Sequence, residues 1–225
     1  MLVASQPAIA SAKDGSGKTE AVTTVGASKD LTTDEEAQLR SFFNEYDVAA
    51  EDQNSLLESY ESGQRWLSMT AGAEPVEVRT ENKAGMRSTV STYEDGSVAV
   101  AGAQVPTESA SDGTGPLSVT GCSTSGSTRV RTHSNCLAKV DNGLVMMSFR
   151  FSWRLYVGSS ASIISFDPDS RNHRCIACIM SDHRVYRISS TNVRYAATIG
   201  LPPGEYLGWM GVRVSTSGAS TYQGP

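Results

Sequence analysis

LVMMSFRFSWRLYV, residues 144–157, alternates apolar and polar side chains along most of its length. Phe149, Phe151, Trp153, Leu155 and Val157 fall on one side, and Ser148, Arg150, Ser152, Arg154 and Tyr156 on the other. A period of two is the pattern of a strand with one face in a core and the other in water. The apolar side is expected to be core, and the opposite side a cationic surface bearing hydroxyls. Around this stretch helical patterning nearly vanishes. Residues 117–119, 129–132, 137–140, 162–166, 185–188, 193–199 and 207–214 read as further strands, punctuated by Gly, Asn, Asp and Pro. Short strands without intervening helices predict an antiparallel β-sandwich or barrel-like domain over 117–225.

Upstream the period changes. Leu39, Phe42, Phe43 and Tyr46 recur at helical spacing, and Thr33 with Glu36 has the spacing of a capping box, which predicts a helix over 34–46. A second helix is expected over 49–62, with Leu56, Leu57 and Tyr60 as its apolar stripe and Gly63 at its C-cap. Alternation returns at Val76 and Val78, and Asp95-Gly96 is a strong hairpin signal between 89–93 and 97–100. The expectation is an α+β unit over 31–106, made of a helical hairpin and a small antiparallel meander. Residues 107–116 are rich in turn formers and read as a linker.

Charge divides at the same place. Up to Gly115 there are 8 lysines and arginines against 19 carboxylates, and from Pro116 onward 11 against 5. Ten of those eleven later cations are arginine, whose planar fork suits carboxylate, phosphate and aromatic partners. An acidic front therefore precedes a basic back.

All four cysteines lie in the back half. Cys122 and Cys136 bracket a polar loop, and Cys175 and Cys178 bracket CIAC. Sequential disulfides are the favoured pairing, and closing the 122–136 loop is worth about 3 kcal/mol by chain entropy. The alternative is a zinc clip drawn from Cys122 or His133, with Cys136, Cys175, Cys178, His173 and His183. Its first cysteine pair is too widely spaced for the usual tight pairs. No metal or cofactor is expected. G-x-S-x-G, S-x-x-K and H-E-x-x-H are absent, so no catalytic residue is assigned. His133, His173 and His183 with Asp167, Asp169 or Asp182 are the residual candidates for a general base. Asp167-Pro168-Asp169 itself reads as a turn.

The first residues, MLVASQPAIASAKDG, have the Ala10-Ser11-Ala12 arrangement of an export-signal cleavage site, so 1–12 is expected to be a signal remnant and 13–30 a disordered lead. Residues 12–19, AKDGSGKT, match a relaxed phosphate-loop pattern. They lack the leading strand and following helix that the chemistry requires, and nucleotide binding is not expected. No run is long and apolar enough for a membrane helix.

Arginine is the remaining functional clue. Arg129 and Arg131 share one strand face, Arg150 and Arg154 another, and Arg184 and Arg187 lie near the second cysteine pair with Arg171 and Arg174. These six, Arg129, Arg131, Arg150, Arg154, Arg184 and Arg187, are the expected ligand-binding residues. Clustered guanidinium groups attract polyanions such as cell-surface polymers and lipid head groups. Nucleic acid is not expected, for want of a recognition helix or an ordered basic-aromatic motif.

The helix pair within LTTDEEAQLRSFFNEYDV (31–48), the strand pair closed by TYEDGSVAV (92–100), and the cysteines of GC (121–122) and NC (135–136) near GLVMMSF (143–149) resemble a group of uncharacterised secreted proteins of actinobacteria. The resemblance implies export and assigns no catalytic residues. The leading expectation is a secreted or cell-wall-associated, non-enzymatic binding protein of the cell envelope. The alternatives are an extracellular hydrolase with an unrecognised site in the β domain, and a cationic bacteriocin-like effector masked by the acidic front.

Overall fold

In the computed structural model, residues 30–108, 121–201 and 204–224 are described. The expected signal remnant, the phosphate-loop-like stretch, strand 117–119 and linker residues 109–116 lie outside them.

Two helices open the described chain, α1 (Thr33–Glu45) and α2 (Ala50–Glu61). The capping box sits one residue earlier than the expected Thr33/Glu36. The Thr32 side chain accepts the Glu35 N–H, and the Glu35 carboxylate accepts the Thr32 N–H. Both pairs satisfy the spacing. The earlier one leaves Glu36 free to pair with Arg40 one turn on, at 2.8 Å. Leu39, Phe42, Phe43, Leu56, Leu57 and Tyr60 are buried, as their periodicity requires. Gly63 ends the second helix with φ 78°, a left-handed conformation that glycine adopts without steric cost.

Three strands follow, β1 (Glu77–Lys83), β2 (Met86–Thr92) and β3 (Val98–Gln104), paired antiparallel as a meander. The β2–β3 turn is tied by Asp95, whose carboxylate accepts N–H groups from Ser97 and Leu67. Then come β4 (Thr107–Glu108), β5 (Ser123–Gly126), β6 (Val130–Asp141), β7 (Val145–Tyr156) and β8 (Ser160–Cys175). Strand β6 joins these groups into one eight-stranded sheet. Along one edge it pairs with β3 over 138–141 and with β5 over 131–134, and along the other it pairs with β7. Strands from both sides of the 107–116 segment thus share one hydrogen-bonded ladder, and Thr107–Glu108 form a short parallel strand on β5. Asp167-Pro168-Asp169, expected as a turn, is an irregular bulged part of β8, where Asp167 accepts the Asp169 N–H.

A second sheet has the order β12-β11-β10-β9, from β9 (Ile179–Ser189), β10 (Asn192–Leu201), β11 (Gly204–Ser215) and β12 (Gly218–Gly224). Its inward residues Val193, Tyr195, Ala197, Ile199, Met210 and Val212 are at most 1% exposed. They join one apolar cluster with Ala138, Val140, Met147, Phe149, Phe151 and Trp153 of the first sheet. The result is a sandwich. On the outer side of the first sheet, helix α1 packs near Val100, Asp141 and the Gly143 turn, with Phe42 and Leu39 against Gly143.

The chain passes from the first sheet to the second through Cys175, Ile176, Ala177 and Cys178. This corner is held three ways. A disulfide joins Cys175 to Cys178, as the other joins Cys122 to Cys136. Ala177, at φ 51°, donates its N–H to Glu35 Oε1 at 3.0 Å. The Tyr60 hydroxyl donates to Ala177 O at 2.7 Å, and burial with the nearby Glu35 pushes that phenol up to about 12. Both helices are therefore bonded to the inter-sheet corner. Tyr60→Phe keeps the ring and orphans a buried carbonyl, so it should lower unfolding stability by about 1–3 kcal/mol. Chemical denaturation followed by tryptophan fluorescence should show one shifted transition. An unmoved strand transition, with only the helices melting early, would contradict the coupling.

Candidate binding surface

The six expected arginines do not converge. Arg150 and Arg154 project from the outer side of the first sheet, opposite Leu137 and Thr132 in register. Arg150 donates to Asn135 O at 2.9 Å. Arg131 lies on the same side of β6 as His133, and Arg129 sits in the exposed β5–β6 turn. Arg187 points between the sheets, where it donates to Ile163 O at 2.7 Å and stacks on Phe166. Only Arg184 stands on the outer face of the second sheet. Sequence neighbours were separated because the chain changes sheets at Cys175–Cys178.

That outer face carries a different constellation. Strand register places Arg184, Ala196, Trp209 and Gly224 in one row across four strands, and Tyr186, Arg194, Gly211 and Tyr222 in the next. Asn192, Arg213 and Ser220 form a third. Small residues alternate with large ones, which leaves room for the rings over the glycines. A Cβ on Gly211 would run into the Tyr222 ring, and one on Gly224 into Trp209. The two rings meet edge to face, with centroids 5.5 Å apart and planes at 70°. Arg194 lies 4.1 Å over Trp209, Arg213 5.4 Å over Tyr222, and Arg184 5.6 Å over Tyr186. Stacking holds the guanidinium planes without consuming their hydrogen bonds.

Carboxylates are scarce here. Of the ten arginines that follow the linker, Arg174 alone forms an ion pair among the described residues, with Asp141 at 2.9 Å. The front half pairs its charges locally, Glu36 with Arg40, Glu81 with Arg79 and Glu45 with Lys83. On the second sheet's outer face two carboxylates stand at one end, where Asp182 accepts the Thr198 hydroxyl and Glu205 lies opposite Gly200.

The histidines occupy other places. His133 stacks on Trp153 at 4.1 Å and shares a hydrogen bond with Thr124 Oγ1. His173 and His183 stack on each other at 4.3 Å, and His183 bonds the Tyr195 hydroxyl. Among the described residues no histidine is hydrogen-bonded to a carboxylate. All four sulfurs are in disulfides, and among the described residues no group of three or more His, Cys, Asp or Glu side chains is placed to hold a metal ion. No described helix is long and apolar enough to cross a membrane.

Comparison with protein-family models, curated proteins and solved structures returns no match. The surface is therefore read from its own chemistry. Arg194, Trp209, Arg213, Tyr186 and Tyr222 were not among the expected site residues. Period-two spacing carried the signal, since Asn192, Arg194 and Ala196, and likewise Trp209, Gly211 and Arg213, each fall two apart and alternate with the core residues Val193, Tyr195, Met210 and Val212.

Burial lowers the affinity of His133 and His173 for a proton, with Arg131 adding to it for His133 and His183 and Arg171 for His173. Both folded values lie below the ordinary 6.5, so between the folded and unfolded values the unfolded chain holds more protons. Stability is full above that window and falls as pH drops through 6.5 toward the folded values. Thermal melting from pH 8 to 5 should show this loss. His173→Gln should flatten part of it, whereas an unchanged slope would remove His173 from the account.

Proposed function

We propose that this is a secreted or cell-wall-associated binding protein that holds anionic polymers on the outer face of its second sheet. One observation carries the reading: Arg184, Arg194 and Arg213 stand together on a hydrogen-bonded sheet, and among the described residues no carboxylate is ion-paired to them. Guanidinium groups fixed by stacking present their free N–H groups to an incoming anion with little further ordering.

The acidic net charge does not defeat this. Glu45 and Glu81 are paired on the far side of the first sheet. Packed sheets stand about 10 Å apart, already beyond the roughly 8 Å over which salt screens exposed charges. The field at the arginine face is therefore set locally. The two disulfides fit an oxidising compartment, where such bonds form and persist, and support the extracellular part of the reading.

A triple variant, Arg184→Gln with Arg194→Gln and Arg213→Gln, should abolish salt-sensitive binding to polyanions. Polygalacturonate and polyphosphate serve as probes, read by affinity electrophoresis at low and physiological salt. Arg150→Gln with Arg154→Gln should retain most of the binding. The reverse ranking, or no salt-sensitive binding by the native chain, would contradict the proposal.

A further inference from the structure

Apart from the arginine face, the sandwich keeps a pocket between its two sheets beside the β6–β7 hairpin. We infer that this pocket binds a small, neutral, single-ring aromatic molecule carrying a hydroxyl or amide group. It holds about 170 Å³. The turn Leu67–Met69 and the residues after it form one wall. The first sheet supplies Asn142, Val145 and Met147, and the second supplies Ile199, Tyr206 and Trp209.

Charge and size narrow the occupant. Among the described residues no charged side chain lines this pocket. An ion entering it would shed water with no opposite charge to replace it, a cost that a neutral molecule avoids. A cavity of about 150 Å³ accommodates benzene, and drug-sized ligands need about 300 Å³ or more. One ring with a short substituent therefore fits, and a polymer segment does not. Met69 and Met147 favour a ring over an aliphatic body, because thioethers adapt their shape and make favourable contacts with aromatic edges. The Tyr206 hydroxyl donates to Met69 Sδ at 3.9 Å, which steadies that wall.

Three polar groups on the wall are unspent. Ser68 is 8% exposed, and its hydroxyl has no hydrogen-bond partner. Its backbone is nevertheless fixed. The Ser68 N–H donates to Ser97 Oγ at 3.0 Å, and Asp95 accepts both the Ser97 hydroxyl and the Leu67 N–H. An orphaned buried hydroxyl costs free energy, and a ligand oxygen placed against it recovers that cost. Asn142 uses Oδ1 to accept the Val145 N–H at 2.8 Å, which leaves its amide N–H groups for an occupant. The Tyr93 phenol is the third, its proton held more firmly by burial and by the nearby Asp95. Several waters fit this space at about 30 Å³ each, and the Met, Val and Ile walls offer them no hydrogen bonds. Their release favours a ligand with an apolar body and one polar group.

The test titrates the full chain, labelled at its methionine methyl carbons, with benzyl alcohol, toluene and benzoate. Benzyl alcohol should bind with a Kd of about 1 mM or below, within reach of so small a molecule. It should shift the Met69 and Met147 methyl signals while that of Met86, on β2, stays in place. Benzoate should bind at least about tenfold more weakly. Ser68→Ala removes a hydroxyl that has no partner, so the melting temperature should be unchanged or higher. The same variant should weaken benzyl alcohol about fivefold and leave toluene unaffected. Ala73→Phe places a ring in the pocket and should abolish both. The triple arginine variant should bind benzyl alcohol as the native chain does, so the pocket and the polyanion surface stand or fall separately. Its failure to bind would move the ligand to the arginine face and overturn the pocket assignment, as would unmoved Met69 and Met147 signals at about twenty times the expected Kd. Benzoate binding as tightly as benzyl alcohol would overturn the neutral assignment. An equal loss of toluene in Ser68→Ala would overturn the role of its hydroxyl.

Discussion

Strand β6 is the constraint on which the architecture rests. It is long enough to accept β3 and β5 end to end along one edge while β7 runs along the other. Its inward residues Cys136, Ala138 and Val140 are nearly fully buried, so a slip of one residue would turn them to the outside and misplace two edges at once. The Cys122–Cys136 bond ties the chain just before β5 to the middle of β6, fixing that register covalently. The acidic helices are then brought to the β domain by shared packing. Their bonds to Ala177 complete the link at the corner where the chain leaves the first sheet.

Once the sandwich is closed, the two outer faces differ in what covers them. The first sheet is partly roofed by α1, and its arginines there are mixed with Lys139, Asp141 and Asp167. The outer face of the second sheet has no such roof among the described elements. On it the side chains organise one another, with rings over glycines and guanidinium groups over rings. Strand pairing on both sides of β10 and β11 makes this face rigid, and a rigid display of stacked arginines and aromatics is suited to recognition.

Much of the fold was legible because local and global requirements agreed. The alternation of 144–157 predicted β7 and the burial of Phe149, Phe151 and Trp153, while Val157, expected on the same face, lies past the end of β7 and is 51% exposed; the helical stripe through Leu39, Phe42 and Phe43 predicted α1. Failures have physical causes. Strand β6 read as two pieces because Asn135, at φ 59°, sits in a bulge that shifts the period. Strands β5 and β12 are short, rich in Ser and Gly and without apolar alternation, and they take shape by pairing with an existing edge. The site was the least legible part. Arginines were grouped by nearness in sequence, while the sheet crossover sends Arg150 and Arg184 to opposite sides. Tyr222 lies on a strand whose existence depends on β11.

The central claim, that the outer face of the second sheet is the binding surface, can be tested through the three tryptophans. Trp66 Nε1–H is buried and donates to Leu56 O at 2.8 Å, Trp153 is in the core, and Trp209 lies on the proposed face. In a nitrogen-15 correlation spectrum titrated with polygalacturonate, the account predicts that the Trp209 indole signal moves while those of Trp66 and Trp153 stay in place. A shift at Trp153 with Trp209 unmoved, or no shift at saturating polymer, would contradict it.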